Sequence, residues 1–513
     1  MRAWARLGEA NLKAAFVGLA FAVTMAARLF VSGPVGLSNQ GDGSRLMCWF
    51  GLSEGTGYAN LGRRTAVELT WSAHRWYGQD CGEGVRYLSS ELVPVKLSMW
   101  GTHLFGLGSG LDLRVLAVVN CVILGTAAAL LFRALPGPQE LRLAITALLW
   151  LVFADGTFAG YLMSAYSEPA MFAGLLFVIA AVCWYWRSSG SVASLLSLVA
   201  SAVFALTAKT QAVTLLVGVL PLLLLRSRLH NGRAAGETWT ARLRSGWRGY
   251  LPGAGAALVV LMVAALHVGA TPARVTEQNR YNAVFLEMLP HSSHPGEDLR
   301  NLGLDPSLAA ASGKTLLDSE TAAARPEYSG LVDKATPLRT TMVYLREPLR
   351  FASLLGRGLD GMARFRPDYI YSYPASEPGR SHLECRVCFV EQAWTTVFLP
   401  SPWLIFVLVV VSMAGGALAV RKGASRGRQA MGVVALFLGG EVVAQFWAVM
   451  LTEGSADLVK HLALANLLTC AAAVFGLASW LIPWGVALFS PPRERPARRR
   501  GSVEVPSDTE AAH

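Results

Sequence analysis

Residues able to do chemistry gather at a few points, each beside a long apolar run. The stretch "SNQGDGSRLM", Ser38 to Met47, sets Asp42 between Gly41 and Gly43, with Arg45 three residues on. Glycines let a substrate approach the backbone closely, and a partly desolvated carboxylate gains basicity, which suits a general base. The same residues also fit an Asx-type turn capping a helix that starts near Arg45. A second group, "DGTFAGYLMSAYSEP", carries Asp155, Tyr166 and Glu168. Glu168-Pro169 equally suits the first turn of a helix. "TAKTQA" holds Lys209 in a short turn between apolar runs, either snorkelling or serving as a phosphate ligand at the mouth of a bundle. "SADLVKHLALANLL" adds Asp457, Lys460 and His461, with His461 facing a polar mouth or held as a satisfied interface histidine. Glu441 falls within an apolar run and is either functional or hydrogen-bonded to a neighbouring helix.

The elements that must position these groups are membrane spans. The chain has 513 residues, 53% hydrophobic and 15% charged, with a mean hydropathy of +0.41. A soluble domain carries about 25% charged residues, and runs of about 20 apolar residues match the length needed to cross hydrocarbon. About ten spans are expected, near 12–33, 112–134, 141–160, 168–186, 191–207, 210–225, 250–270, 401–420, 429–451 and 461–487. With the N-terminus inside, the short inner loops hold Arg133, Arg142, Arg187, Arg226, Arg228, Arg421, Arg426 and Arg428, as does the tail "PPRERPARRR". The short outer loops hold almost no Lys or Arg, so the net charge of +11 is a topology signal and not a nucleic-acid footprint.

This pattern predicts an all-α polytopic membrane protein with both termini cytoplasmic and two long segments outside, 34–111 and 271–400. Its expected division is a transmembrane module at 1–270, an extracytoplasmic α or α+β loop domain at 271–400, further transmembrane helices at 401–490 and a disordered basic tail at 491–513. Cys121, Cys183 and Cys470 fall inside spans. Cys48 and Cys81, and the pair in "CRVC" (Cys385, Cys388), lie on the oxidising side, where disulfides form. A single CxxC is weak evidence for zinc.

Four stretches carry a family resemblance: "NQGDGSR" (39–45), "YSEP" (166–169), "NRYNAVFLEMLPHSSHPGEDLRNLGLDPSLAAASGKTL" (279–316) and "ADLVKHLALAN" (456–466). In these the chain resembles the GT-C superfamily of integral-membrane glycosyltransferases, with most similarity to bacterial hexose transferases of cell-wall or surface-layer glycan synthesis. The resemblance implies a plasma-membrane enzyme that takes a sugar from a polyprenyl-phosphate carrier on the outer face and passes it to a growing glycan. It implies Asp42 as an inverting general base, with Glu168 as the second catalytic acid. Lys209, Arg280, Lys460 and His461 would hold the donor phosphate, and Arg45, Asp155 and Tyr166 would contact substrate. The lone acid between glycines departs from the two-acid metal motif of other GT-C members, so a metal-independent reaction without cofactor is expected. Membrane lipids, the lipid-linked sugar and a glycan acceptor are the expected partners. The rival classes are a lipid-linked-glycan flippase or transporter and a non-catalytic scaffold. A transporter needs a polar path through the bundle, and inverted halves with matching broken spans are absent.

Overall fold

The computed structural model describes residues 2–39, 42–53, 69–75, 86–108, 110–188, 191–230, 251–316, 318–374, 383–421 and 424–484. The N-terminal half contains α1 (Arg2–Phe30), α2 (Asp42–Met47), α3 (Leu92–Leu104), α4 (Leu113–Ala134), α5 (Gln139–Ala154), α6 (Gly156–Ala159), α7 (Glu168–Arg187), α8 (Val192–Leu206) and α9 (Leu216–His230). Next come α10 (Leu251–Gly269), α11 (Ala273–Tyr281), α12 (Pro295–Leu302), α13 (Leu331–Lys334), α14 (Pro337–Leu345) and α15 (Pro348–Arg364). The chain closes with α16 (Phe389–Phe398), α17 (Trp403–Ala419), α18 (Arg426–Thr452), α19 (Leu458–His461) and α20 (Ala463–Trp484).

Among the described residues six helices are long and apolar enough to cross a membrane: α1 from Gly8, α4, α7, α10, α18 and α20 up to Leu481. Two bent pairs raise the number to eight if each is one span. Gln139–Ala154 with Gly156–Met163 turns by 68°, and Phe389–Phe398 with Trp403–Ala419 by 109°. The expected ten spans are therefore too many among the described residues. The two short, adjacent segments at 191–207 and 210–225 account for the difference. Helix α8 has 15 residues, or about 22 Å of rise, against a hydrocarbon core of about 30 Å. The second segment begins as a 3-10 turn at Thr210–Leu215 and carries Pro221 inside α9.

Small residues bring the spans together, since apolar burial does not separate helix from lipid. A methyl at Gly18 on α1 would lie 2.6 Å from the Gly125 carbonyl oxygen on α4. Gly416 on α17 and Gly432 on α18 meet in the same way. The 271–400 segment is not a separate loop domain. Its helices pack on α18, α19 and α20, and its buried Tyr281, Phe285, Leu354 and Phe365 join the same apolar core as the spans.

A buried polar clamp ties that segment to the bundle. Arg28 on α1 pairs with Glu384 and donates to the Ala154 carbonyl. Arg366 donates to the Glu384 carbonyl and to Ser372. Asp155 caps α6 and accepts the N–H groups of Val390 and Glu391 at 3.0 and 3.1 Å. Cys385 and Cys388 between them form a disulfide, while Cys81 and the tail from 491 lie outside the described residues.

The stretch 44–52, "SRLMCWFGL", mixes apolar and aromatic residues as an amphipathic helix lying flat in the interface would, but it does not form one such helix. Helix α2 ends at Met47, a 3-10 turn covers Cys48–Phe50, and β1 (Leu52–Ser53) follows. Strand β2 (Ser72–Arg75) pairs antiparallel with β1, Leu52 opposite Arg75, and with β3 (Leu111–Asp112), Ser72 opposite Asp112. This small sheet joins the Asp42 loop to the start of α4.

Candidate active site at one end of the bundle

The charged residues converge from α2, the start of α7, the turn before α9, the end of α18 and α19. Asn39, not Asp42, does the capping: its Oδ1 accepts the Gly43 N–H at 2.9 Å, and its amide donates to Ser44. Asp42 opens α2, and its carboxylate is left for longer-range partners. Lys460 Nζ lies 2.7 Å from Asp42 Oδ2, and Arg45 Nη1 lies 3.3 Å from Oδ1. Lys460 is buried, and its ammonium sits 5.5 Å from the centre of the Tyr166 ring, whose hydroxyl donates to the Ser38 carbonyl.

A second pair stands beside the first. Glu168 starts α7 as a first-turn acid, as its Glu-Pro sequence allows, yet its Oε1 takes Lys209 Nζ at 2.7 Å. A third pair closes the site. His461 Nδ1 lies 2.6 Å from Glu453 Oε2, and Gln211 Nε2 donates to the same oxygen at 2.5 Å. With Nδ1 committed to the carboxylate, Nε2 is the nitrogen left for the pocket. Lys460 and His461 reach these positions because Asp457 opens α19 at φ +51°, a left-handed conformation that Asp tolerates better than most residues.

Asp42, Arg45, Lys209, His461 and Glu453 line one pocket of ≈ 50 Å³ together with Tyr87, Ser167, Thr210 and Asn279. Tyr87 accepts the Thr210 N–H at 2.6 Å and so fixes the turn that presents Lys209. Asp42 takes both Lys460 and Arg45, Glu168 takes Lys209, and Glu453 takes His461. Burial raises the Asp42 carboxyl, but Lys460, then Arg45 and Lys209, outweigh it and hold it far below the usual carboxylate range. Burial likewise opposes charge on Lys460 and Lys209, and Asp42 and Glu168 respectively reverse that, leaving both ammonium groups firmly protonated.

Glu168 and Lys460 lie behind the lining as partners of Lys209 and Asp42, with Tyr166 buried beside Lys460. Three sequence candidates stand apart from this cluster. The Asp155 carboxylate is spent on backbone N–H groups of the clamp and does not line the pocket. Arg280 sits half-buried on α11, near the pocket-lining Val275 and Asn279 but outside the lining, with Nε and Nη1 unpartnered among the described residues. Glu441 lies fully buried on α18, accepting the Gly218 N–H at 2.9 Å, away from the pocket. Glu453, Gln211 and Tyr87 carried no sequence signal strong enough to single them out. Glu453-Gly454 closing an apolar run was the one available hint. Among the described residues no group of three or more His, Cys, Asp or Glu side chains is placed to hold a metal ion.

Fold and site together define a polytopic, helical membrane protein with a compact cluster of ion pairs at one membrane boundary. A family model described as the YfdI N-terminal transmembrane domain matches residues 4–495, so the chain belongs to that family. No curated protein matches the chain.

Proposed function

We propose that the protein is a membrane glycosyltransferase of GT-C type, moving a sugar from a polyprenyl-phosphate donor to a cell-envelope glycan acceptor. The observation that carries this reading is the Asp42–Lys460 pair beside the Glu168–Lys209 pair, each at 2.7 Å, at a membrane boundary. A lipid carrier presents its phosphate at that depth, and buried ammonium groups are strong phosphate ligands. The site end is read as extracytoplasmic because Arg133, Arg187, Arg426 and Arg428 mark the other end as cytoplasmic.

In this reading the donor phosphate binds Lys460 and Lys209. Neither cation is spare, so the phosphate draws Lys460 away from Asp42. The carboxylate then recovers basicity and takes the acceptor hydroxyl proton as the oxygen attacks the anomeric carbon with inversion. The sugar–phosphate bond breaks, its electron pair leaves on the carrier phosphate, and the two lysines stabilise that charge. Arg45 lines the substrate side, Tyr166 is buried behind Lys460, and no metal is required.

The test is reconstitution in vesicles with a polyprenyl-phosphate sugar and extracted envelope glycan. Formation of a new glycosidic bond supports the enzyme. Transfer of the intact lipid-linked sugar across the bilayer, with no new bond, would establish the flippase instead.

A further inference from the structure

Helices α14 and α15 carry an apolar stripe that nothing among the described residues covers. Leu338, Met342, Leu345 and Leu349 are 72%, 50%, 55% and 88% exposed. Leu338, Met342 and Leu345, spaced by four and three residues, share one face of α14, and Leu349 follows in the first turn of α15 after a non-helical break at Glu347. The opposite face of α14 is buried through Thr340, Val343 and Tyr344, so the stripe is not the inward side of a loosely packed helix.

Its position relative to the spans decides what covers it. Phe351, in the first turns of α15, stacks on Trp447 of α18 with ring centres 4.6 Å apart and planes within 7°. Trp447 lies five residues before the end of α18 at Thr452, or about 7.5 Å down the helix axis. That is the level of the tryptophan belt at a membrane–water interface. Val443 shares the Trp447 face one turn deeper and is 42% exposed on a membrane span, as a lipid-facing residue is. The start of α15 therefore lies against the lipid-facing side of α18 and does not sit over its end. Arg339 and Arg346 flank the stripe, bonded to the protein through Nη1 to the Leu302 and Lys334 carbonyls and to Asn301 respectively. Arginine's remaining donors suit lipid phosphate.

The geometry points to α14 and the first turn of α15 lying in the bilayer interface as a shelf, with Leu338, Met342, Leu345 and Leu349 in the acyl region of the site-side leaflet. Four large apolar side chains on a surface continuous with the spans fit a lipid surface. The shelf fixes the 271–400 segment at the membrane and goes beyond the proposed reaction, on which it does not depend.

Single cysteines at 338, 342, 345 and 349, spin-labelled in nanodiscs of phosphatidylethanolamine and phosphatidylglycerol, test it through access to oxygen and to a water-soluble nickel chelate. The native free cysteines Cys121, Cys183 and Cys470 are buried and leave the background quiet. Labels on the stripe should meet oxygen and exclude nickel, while labels at Asp333 and Glu347 should meet nickel. Nickel access at the stripe equal to that at Asp333 would place it in water and end the proposal. Exclusion of both probes would show a protein partner and end it equally.

Discussion

Lys460 Nζ and Asp42 Oδ2 stand 2.7 Å apart across 418 residues of sequence, the lysine buried and the acid with 27% of its side chain open to the pocket. The pair joins the loop after the first span to the turn before the last, so the acid's basicity is set by a residue at the other end of the chain.

Asp42→Asn should fold normally, because Asn39 supplies the cap and asparagine is itself a good cap former. Transfer should fall on the order of 100- to 10,000-fold, the range for loss of a general base. Binding of polyprenyl phosphate, followed by native mass spectrometry, should be kept or strengthened because Lys460 loses a competitor. Near-normal transfer would move the base to Glu168.

Lys460→Met should weaken polyprenyl-phosphate binding by roughly 10- to 100-fold, the loss of one charge-assisted hydrogen bond. It also leaves Asp42 with Arg45 as its nearest cation, so transfer should fall with binding. Unchanged affinity would remove Lys460 from the donor site.

Glu168 and Lys209 are 2% and 13% exposed in their side chains. Removing one member of such a buried pair costs roughly 3–5 kcal/mol, because the other charge is stranded. Glu168→Gln should therefore lower the unfolding midpoint, and Glu168→Gln with Lys209→Met should recover most of the loss. Only variants lacking Lys209 should also lose donor affinity. Additive losses in the double variant would show that the two do not act as a pair.

Burial raises the Glu453 carboxyl, but His461, then Lys209 and Gln211, outweigh it and leave it below the usual carboxylate range. A depressed folded value contributes stability that is fully present above the unfolded value of about 4.3 and is lost as pH falls through the folded one. The stability gap between the protein and Glu453→Gln should thus be full at neutral pH and shrink as the pH drops below about 4. A gap that widens on acidification would contradict the assigned ion pair.

The sequence by itself determined the membrane class, because long apolar runs have no other soluble-state explanation, and it singled out most of the charges that meet at the site. Asp42, Arg45, Glu168, Lys209, Lys460 and His461 each sit next to a span end, where a charge is conspicuous against an apolar background. Only the tertiary structure decided which of these are partners. Asp42 with Lys460, Glu168 with Lys209 and Glu453 with His461 join different helix ends, and pairing across helices leaves no local pattern. Hydropathy also overcounted the spans, since it registers that a segment is apolar but not that a 3-10 turn and a proline interrupt it. The sequence likewise placed both Asp155, expected to contact substrate, and Glu168, expected to be catalytic, at the site. Their spacing from span ends is alike, yet one carboxylate is consumed by the Val390 and Glu391 N–H groups while the other meets Lys209 at the pocket. The division follows from range: composition and periodicity act over one helix, whereas a site built from five helix ends exists only once the bundle has closed.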